Sequence, residues 1–129
     1  MTTKGVAVEY LALVYGDPAG WEALSEAEQA AAYQGYVAVS EEATAAGVLV
    51  DASELESTAA ATSVRVRDGE ALVTDGPYTD VKESLGGYYL FSCATLDEAI
   101  GWAAKIPAAW TGGAVEVRPV HFDAEEAAA

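Results

Sequence analysis

The chain has 129 residues, enough for one domain with a workable core and too few for two. Apolar types make up 52%, but alanine inflates that figure, so the core must rest on Val, Leu, Ile, three Trp, seven Tyr and two Phe. Six basic residues face 21 acidic ones for a formal charge of −15, and such a surface repels polyanions, which excludes nucleic acid and anionic membrane as partners.

Val6 to Tyr15 is an apolar run interrupted only by Glu9 and bounded by Gly16, Asp17 and Pro18, which predicts a central strand. Ser25 and Glu28 form a capping box that opens a long helix ending at Gly47, with Tyr33, Tyr36, Val37, Ser40 and Thr44 on one side. Val48 to Val50 predicts a brief strand, and ASELESTAAAT reads as loop. Ser63 to Arg67 and Glu70 to Val73 flank Asp68-Gly69, the two-residue signature of a tight hairpin. Tyr88 to Cys93 predicts a further strand. Thr95 and Glu98 then cap a second helix carrying Leu96, Ala99, Ile100, Ala103 and Ile106, which Pro107 closes. Val115 to Val120 alternates with period two and predicts the last strand. This order is that of an α+β ferredoxin-like sandwich, an antiparallel sheet with two helices on one face. The domain is expected over residues 1–122, with 123–129 a disordered tail.

Cys93 is the only cysteine and lies in the strand-like YYLFSCA, so it predicts a small buried hydrophobe and permits no intrachain disulfide. The opening MTTKGVAVEY has no long apolar segment, and no stretch approaches the roughly 18 apolar residues of a membrane span, so the expected compartment is cytoplasmic. No phosphate loop, dinucleotide fingerprint, G-x-S-x-G elbow or paired-cysteine motif is present, and no cofactor is expected. Asp75, Asp80 and Glu83 lack the spacing of a calcium loop, and the sole histidine, His121, has no ligand set near it, so no metal is expected.

The segment TDGPYTDVKESLGGYYLF, followed by LDEAIGWAAKIP and VEVRPV, resembles the signature of the YCII-related, or DGPF-domain, family of small bacterial proteins. The resemblance runs from about Val8 to Val120 and includes VYGDPAGWEALSEAE. It implies a ferredoxin-like fold that dimerises through its sheets into a dimeric α+β barrel. It also implies a homodimer and association with sigma factors of the extracytoplasmic-function type. The family's role is largely unassigned. Related proteins were proposed to be enzymes on the strength of a His-Asp pair near the first helix, and this sequence has no histidine from Ser25 to Gly47. Tyr78 stands where the family usually carries Phe.

Within that signature, Gly76 precedes Pro77, which fixes its own φ, and Asp75 is placed to bond forward to the backbone. On a structural reading, Asp75 caps the turn, Tyr78 plugs a core edge and Gly86-Gly87 relieve a close crossing. On a functional one the turn is a pocket wall, with Asp75 as the catalytic acid or base or as a hydrogen-bond acceptor. Arg65 and Arg67 share one strand face opposite Val64 and Val66; if those valines face the helices, the arginines face the open side of the sheet, as candidate anion ligands with Arg118. The alternative is pairing with Glu9, Glu70 or Glu116. The expected function is a dimeric binding or regulatory module holding a small anionic or aromatic metabolite. The second expectation is a small enzyme using Asp75, with Tyr78 and Tyr88 or Arg118 orienting the substrate.

Overall fold

A computed structural model describes residues 7–121, so Val6, Phe122 and the expected tail lie outside the described residues. The elements run β1 (Val8–Gly16), α1 (Pro18–Glu22), α2 (Glu26–Ala45), β2 (Leu49–Glu54), β3 (Thr62–Arg67), β4 (Glu70–Asp75), β5 (Ser84–Cys93), α3 (Leu96–Ala103) and β6 (Ala114–Pro119). Short 3-10 turns occupy Thr58–Ala60 and Pro107–Ala109. Four strands pair antiparallel in the order β2-β5-β1-β6, and β3 and β4 form a separate ribbon. The architecture is α+β with antiparallel sheets, compatible with a ferredoxin-like fold.

Local chemistry accounts for the helix starts. Asp17 accepts the Ala19 N–H at 3.0 Å, and Pro18 supplies a φ already suited to the first turn of α1. Ser25 and Glu28 exchange the two bonds of the capping box at 3.1 and 2.9 Å, which lowers the Glu28 pKa, because the carboxylate accepts the Ser25 backbone N–H. Thr95 accepts the Glu98 N–H at the start of α3.

The buried layer follows strand parity. Tyr10, Ala12 and Val14 of β1, and Tyr89, Phe91 and Cys93 of β5, point to one face with Val115 and Val117 of β6. Phe91 is fully buried between the rings of Tyr89 and Trp102, at centroid distances of 5.6 and 6.1 Å. From above, Val39 and Ala43 of α2 and Ala99 of α3 close this layer, together with Ile106 beyond the end of α3. Burial raises the Cys93 thiol pKa, which favours the neutral thiol.

Several expectations need correction. The buried face of α2 is Ala32, Val39 and Ala43, whereas Tyr33 and Val37 are 60% and 56% exposed. Small residues on α2 let it approach the turn at Pro107–Ala109 closely. A Cβ on Gly35 would stand 2.7 Å from the Pro107 ring. On α3, Leu96 and Ile100 are likewise half exposed. The first three residues of ASELESTAAAT are strand, because Ala52, Ser53 and Glu54 pair with Tyr89, Tyr88 and Gly87 of β5. Val64 and Val66 do not face the helices: they are 60% and 70% exposed on a ribbon outside the main sheet. The ribbon's turn is as read, since Asp68 and Gly69 have φ of 52° and 79°, the pair of positive values that a two-residue hairpin of this kind requires.

Two predictions follow from the packing. Replacing a helical glycine with alanine ordinarily stabilises by about 0.5–1 kcal/mol, and Gly101→Ala, with open space at its Cβ, should do so. Gly35→Ala should instead cost about 1–3 kcal/mol, because Pro107 is buried and has nowhere to move; denaturant midpoints of the two variants give the comparison. The second concerns alkaline pH. Burial raises the Tyr89 pKa, and burial followed by the neighbouring Tyr89 charge raises that of Tyr36, both from an ordinary 10.0. Folding therefore favours the neutral phenols. Their stabilisation is fully present below about pH 10 and is lost as pH rises through the raised folded-state values. Tyr36→Phe and Tyr89→Phe should each flatten the alkaline limb of unfolding free energy against pH, measured by denaturant titration.

Candidate functional site

The Gly86-Gly87 pair sits at a break in the central strand pairing. Val14 pairs with Gly87, but the next pair is Tyr15 with Leu85, so Gly86 is an extra residue on β5. Such a bulge resets strand parity and bends the strand locally. Gly87 itself is buried where a Cβ would lie 2.7 Å from the Ser53 carbonyl, so this half of the expectation, glycine relieving a close backbone crossing, holds. The Gly86 carbonyl accepts the Leu55 N–H at 2.8 Å, which ties the end of β2 to the bulge.

Tyr15, Leu55 and Leu85, the residues brought together by this arrangement, line a cleft of about 480 Å³. The turn at Thr58–Ala60 contributes to it from one stretch of chain, and Pro77, Tyr78 and Thr79 from another. Its lining is mainly apolar and hydroxyl-bearing, with Glu56 and Glu83 as its charged members and no Lys or Arg among the described lining residues. The second half of the Asp-Gly-Pro-Tyr stretch, Pro77 and Tyr78, is therefore part of a cleft wall.

The turn is not held by Asp75. Gly76, at a φ of 106°, donates its N–H to the Ala61 carbonyl at 2.8 Å, and its own carbonyl accepts the Ser63 hydroxyl at 2.7 Å. Asp75 is exposed at the end of β4, makes no side-chain hydrogen bond among the described residues, and does not line the cleft. Nor does Tyr78 plug a core edge, being 77% exposed at the cleft rim.

The remaining candidates are dispersed. The Arg65 guanidinium lies 5.9 Å from the Tyr78 ring centroid, a cation–π contact linking the ribbon to the signature loop. Arg67 is exposed on the same ribbon, opposite Glu70 in register. Arg118 pairs with Glu116 of its own strand, whereas the ion-pair alternative anticipates a partner on a neighbouring strand. Tyr88 donates its hydroxyl to Asp51 at 2.8 Å on the sheet face away from the helices. Asp51 had no local sequence signal, since its position opposite Leu90 depends on the pairing of β2 with β5. Asp75, Asp80 and Glu83 form no metal-ligating group among the described residues, and His121 is exposed. No helix of the described residues is long and apolar enough to cross a membrane.

Comparison with known proteins places these features in a family context. The YCII-related domain model matches residues 8–122. An uncharacterized protein of Rhizobium meliloti (strain 1021) is 38% identical over 112 residues, spanning 86% of this chain and 90% of that protein.

The hydrogen bonds of the turn make a mutational prediction. Ser63→Ala should cost about 1 kcal/mol, since it removes a part-buried bond to the Gly76 carbonyl. Asp75→Asn should stay within about 0.5 kcal/mol of wild type, as an exposed change that breaks no contact. Thermal unfolding of both variants gives the comparison.

Proposed function

The chain belongs to the YCII-related domain family, and we propose that it is a homodimeric binding or regulatory module that holds a small aromatic metabolite in the cleft beneath the Asp-Gly-Pro-Tyr loop. The observation that carries this reading is the cleft itself. Its volume of about 480 Å³ lies within the range typical of small-molecule sites, and its lining combines aromatic and aliphatic surface with a few hydroxyls. Tyr15 and Tyr78 offer ring faces for stacking, and Leu55 and Leu85 offer apolar surface. The aromatic part of the sequence expectation is favoured over the anionic part, because Glu56 and Glu83 repel a carboxylate and Arg65, which contacts the cleft's Tyr78, is engaged with that ring. An enzymatic reading resting on Asp75 ranks second, since that carboxylate stands outside the cleft lining.

The dimer half of the proposal rests on the sheet. Helices cover only one face, and the other carries Leu11, Leu13, Tyr88 and Leu90 in its middle, side chains that a second copy would shield from water.

Light scattering should report twice the 13.3 kDa chain mass at micromolar concentration, and a stable monomer would contradict the dimer. A thermal-shift screen of aromatic metabolites should yield a ligand that stabilises by about 2.7 kcal/mol at a hundredfold excess over its Kd. Tyr78→Ala should abolish that stabilisation while leaving the unliganded protein within about 0.5 kcal/mol of wild type. Stabilisation without turnover supports a binding module, conversion of the ligand supports the enzyme, and an unchanged response in Tyr78→Ala places binding outside the cleft.

A further inference from the structure

Strand register arranges the open sheet face in rows. Asp51 pairs with Leu90, Leu90 with Leu11, and Leu11 with Arg118, so one row reads Asp51, Leu90, Leu11, Arg118 from the β2 edge to the β6 edge. The next row reads Ser53, Tyr88, Leu13, Glu116. The face is thus apolar at its centre, with the Asp51 carboxylate at the β2 edge and the Glu116–Arg118 ion pair at the β6 edge. Both charged groups of the first row are oriented. Asp51 accepts the Tyr88 hydroxyl at 2.8 Å and the Ala52 N–H at 2.9 Å. Arg118 uses its Nε toward Glu116, and its two terminal nitrogens have no partner among the described residues.

We infer that the second copy packs on this face with its two-fold axis along the strands, so that Asp51 of each protomer stands opposite Arg118 of the partner subunit. This rests on the dimer proposed above and adds its orientation. In a face-to-face pair the two-fold axis lies between the sheets, which leaves two simple aligned arrangements. With the axis along the strands the edges exchange. β2 then faces the partner's β6 and β5 faces the partner's β1, which sets Leu90 against Leu11 at the centre and, at both edges, Asp51 against an Arg118 whose Nε holds Glu116 and whose terminal nitrogens remain to meet a second carboxylate. With the axis across the strands each strand faces its own copy. The two Asp51 carboxylates then share one edge, and β2 from Leu49 to Glu54 contains no basic residue to separate them. Stacked sheets lie about 10 Å apart, a gap that an arginine and an aspartate side chain together span. Opposite charges facing across an interface fix its register and suppress the wrong one.

Reversing the charges tests the orientation. Dimer dissociation constants of wild type, Asp51→Arg, Arg118→Asp and the chain carrying both substitutions would be measured by sedimentation equilibrium. Each single reversal should weaken self-association at least about tenfold, and the double reversal should return to within about threefold of wild type. Both positions are exposed, and circular dichroism with thermal unfolding checks that each chain is folded. Asp51→Asn and Arg118→Gln, which remove charge without reversing it, should weaken the dimer less than the reversals do. Single reversals that dimerise as tightly as wild type, or a double reversal as weak as the singles, would overturn the orientation while leaving the dimer standing. A wild-type chain that remains monomeric would overturn the dimer as well.

Discussion

The antiparallel pairing of β1 with β5, interrupted by one extra glycine, is the constraint on which the rest of the structure depends. Over its longer part the register stacks Tyr10, Ala12 and Val14 beside Phe91, Tyr89 and Gly87, and this row is what the helices cover. At the break it changes parity and turns Leu85 to the side of Tyr15. One strand pair therefore supplies both the core and part of the cleft. Gly87 permits the close approach of β2, whose end bonds to the Gly86 carbonyl through Leu55. Any larger residue at position 87 would push against the Ser53 carbonyl and loosen this end of the sheet.

This constraint links the family signature to physical roles that the short motif alone does not reveal. The glycine pair belongs to the bulge, and the proline and tyrosine belong to the cleft rim. The aspartate before them is exposed at the end of a ribbon strand. The turn's hydrogen bonds come from Ala61 and Ser63, residues on the other strand and its approach. Stiffness of the loop is thus borrowed from the ribbon, and the contact of Arg65 with Tyr78 adds a second tie.

Much of the fold was legible because its signals are local. Capping boxes, the Asp-Gly turn and period-two alternation each depend on residues a few positions apart, and each predicted element is present. What was not legible depends on partners distant in sequence. The α2 face was misread because large side chains usually mark the buried stripe, whereas here alanine and glycine do so by permitting close approach. The strand character of Ala52 to Glu54 comes from β5 and not from its own composition. Val64 and Val66 alternate as a half-buried strand does, yet the ribbon leaves the sheet. For the site, the Gly-Gly and Asp-Gly-Pro-Tyr stretches drew the eye to the right region. Leu55, Thr58 and Tyr15 joined it only through the three-dimensional pairing.

The central claim is that the bulge and the signature loop build a cleft suited to a small aromatic molecule. Amide NMR of the isotope-labelled protein during titration with a set of small neutral aromatic alcohols and amides tests it most directly. The account predicts saturable shifts concentrated at Tyr15, at residues 55–61 and at residues 77–85, the chain segments that line the cleft. Shifts gathered on the outer surfaces of α2 and α3, or none with any aromatic probe, would contradict it.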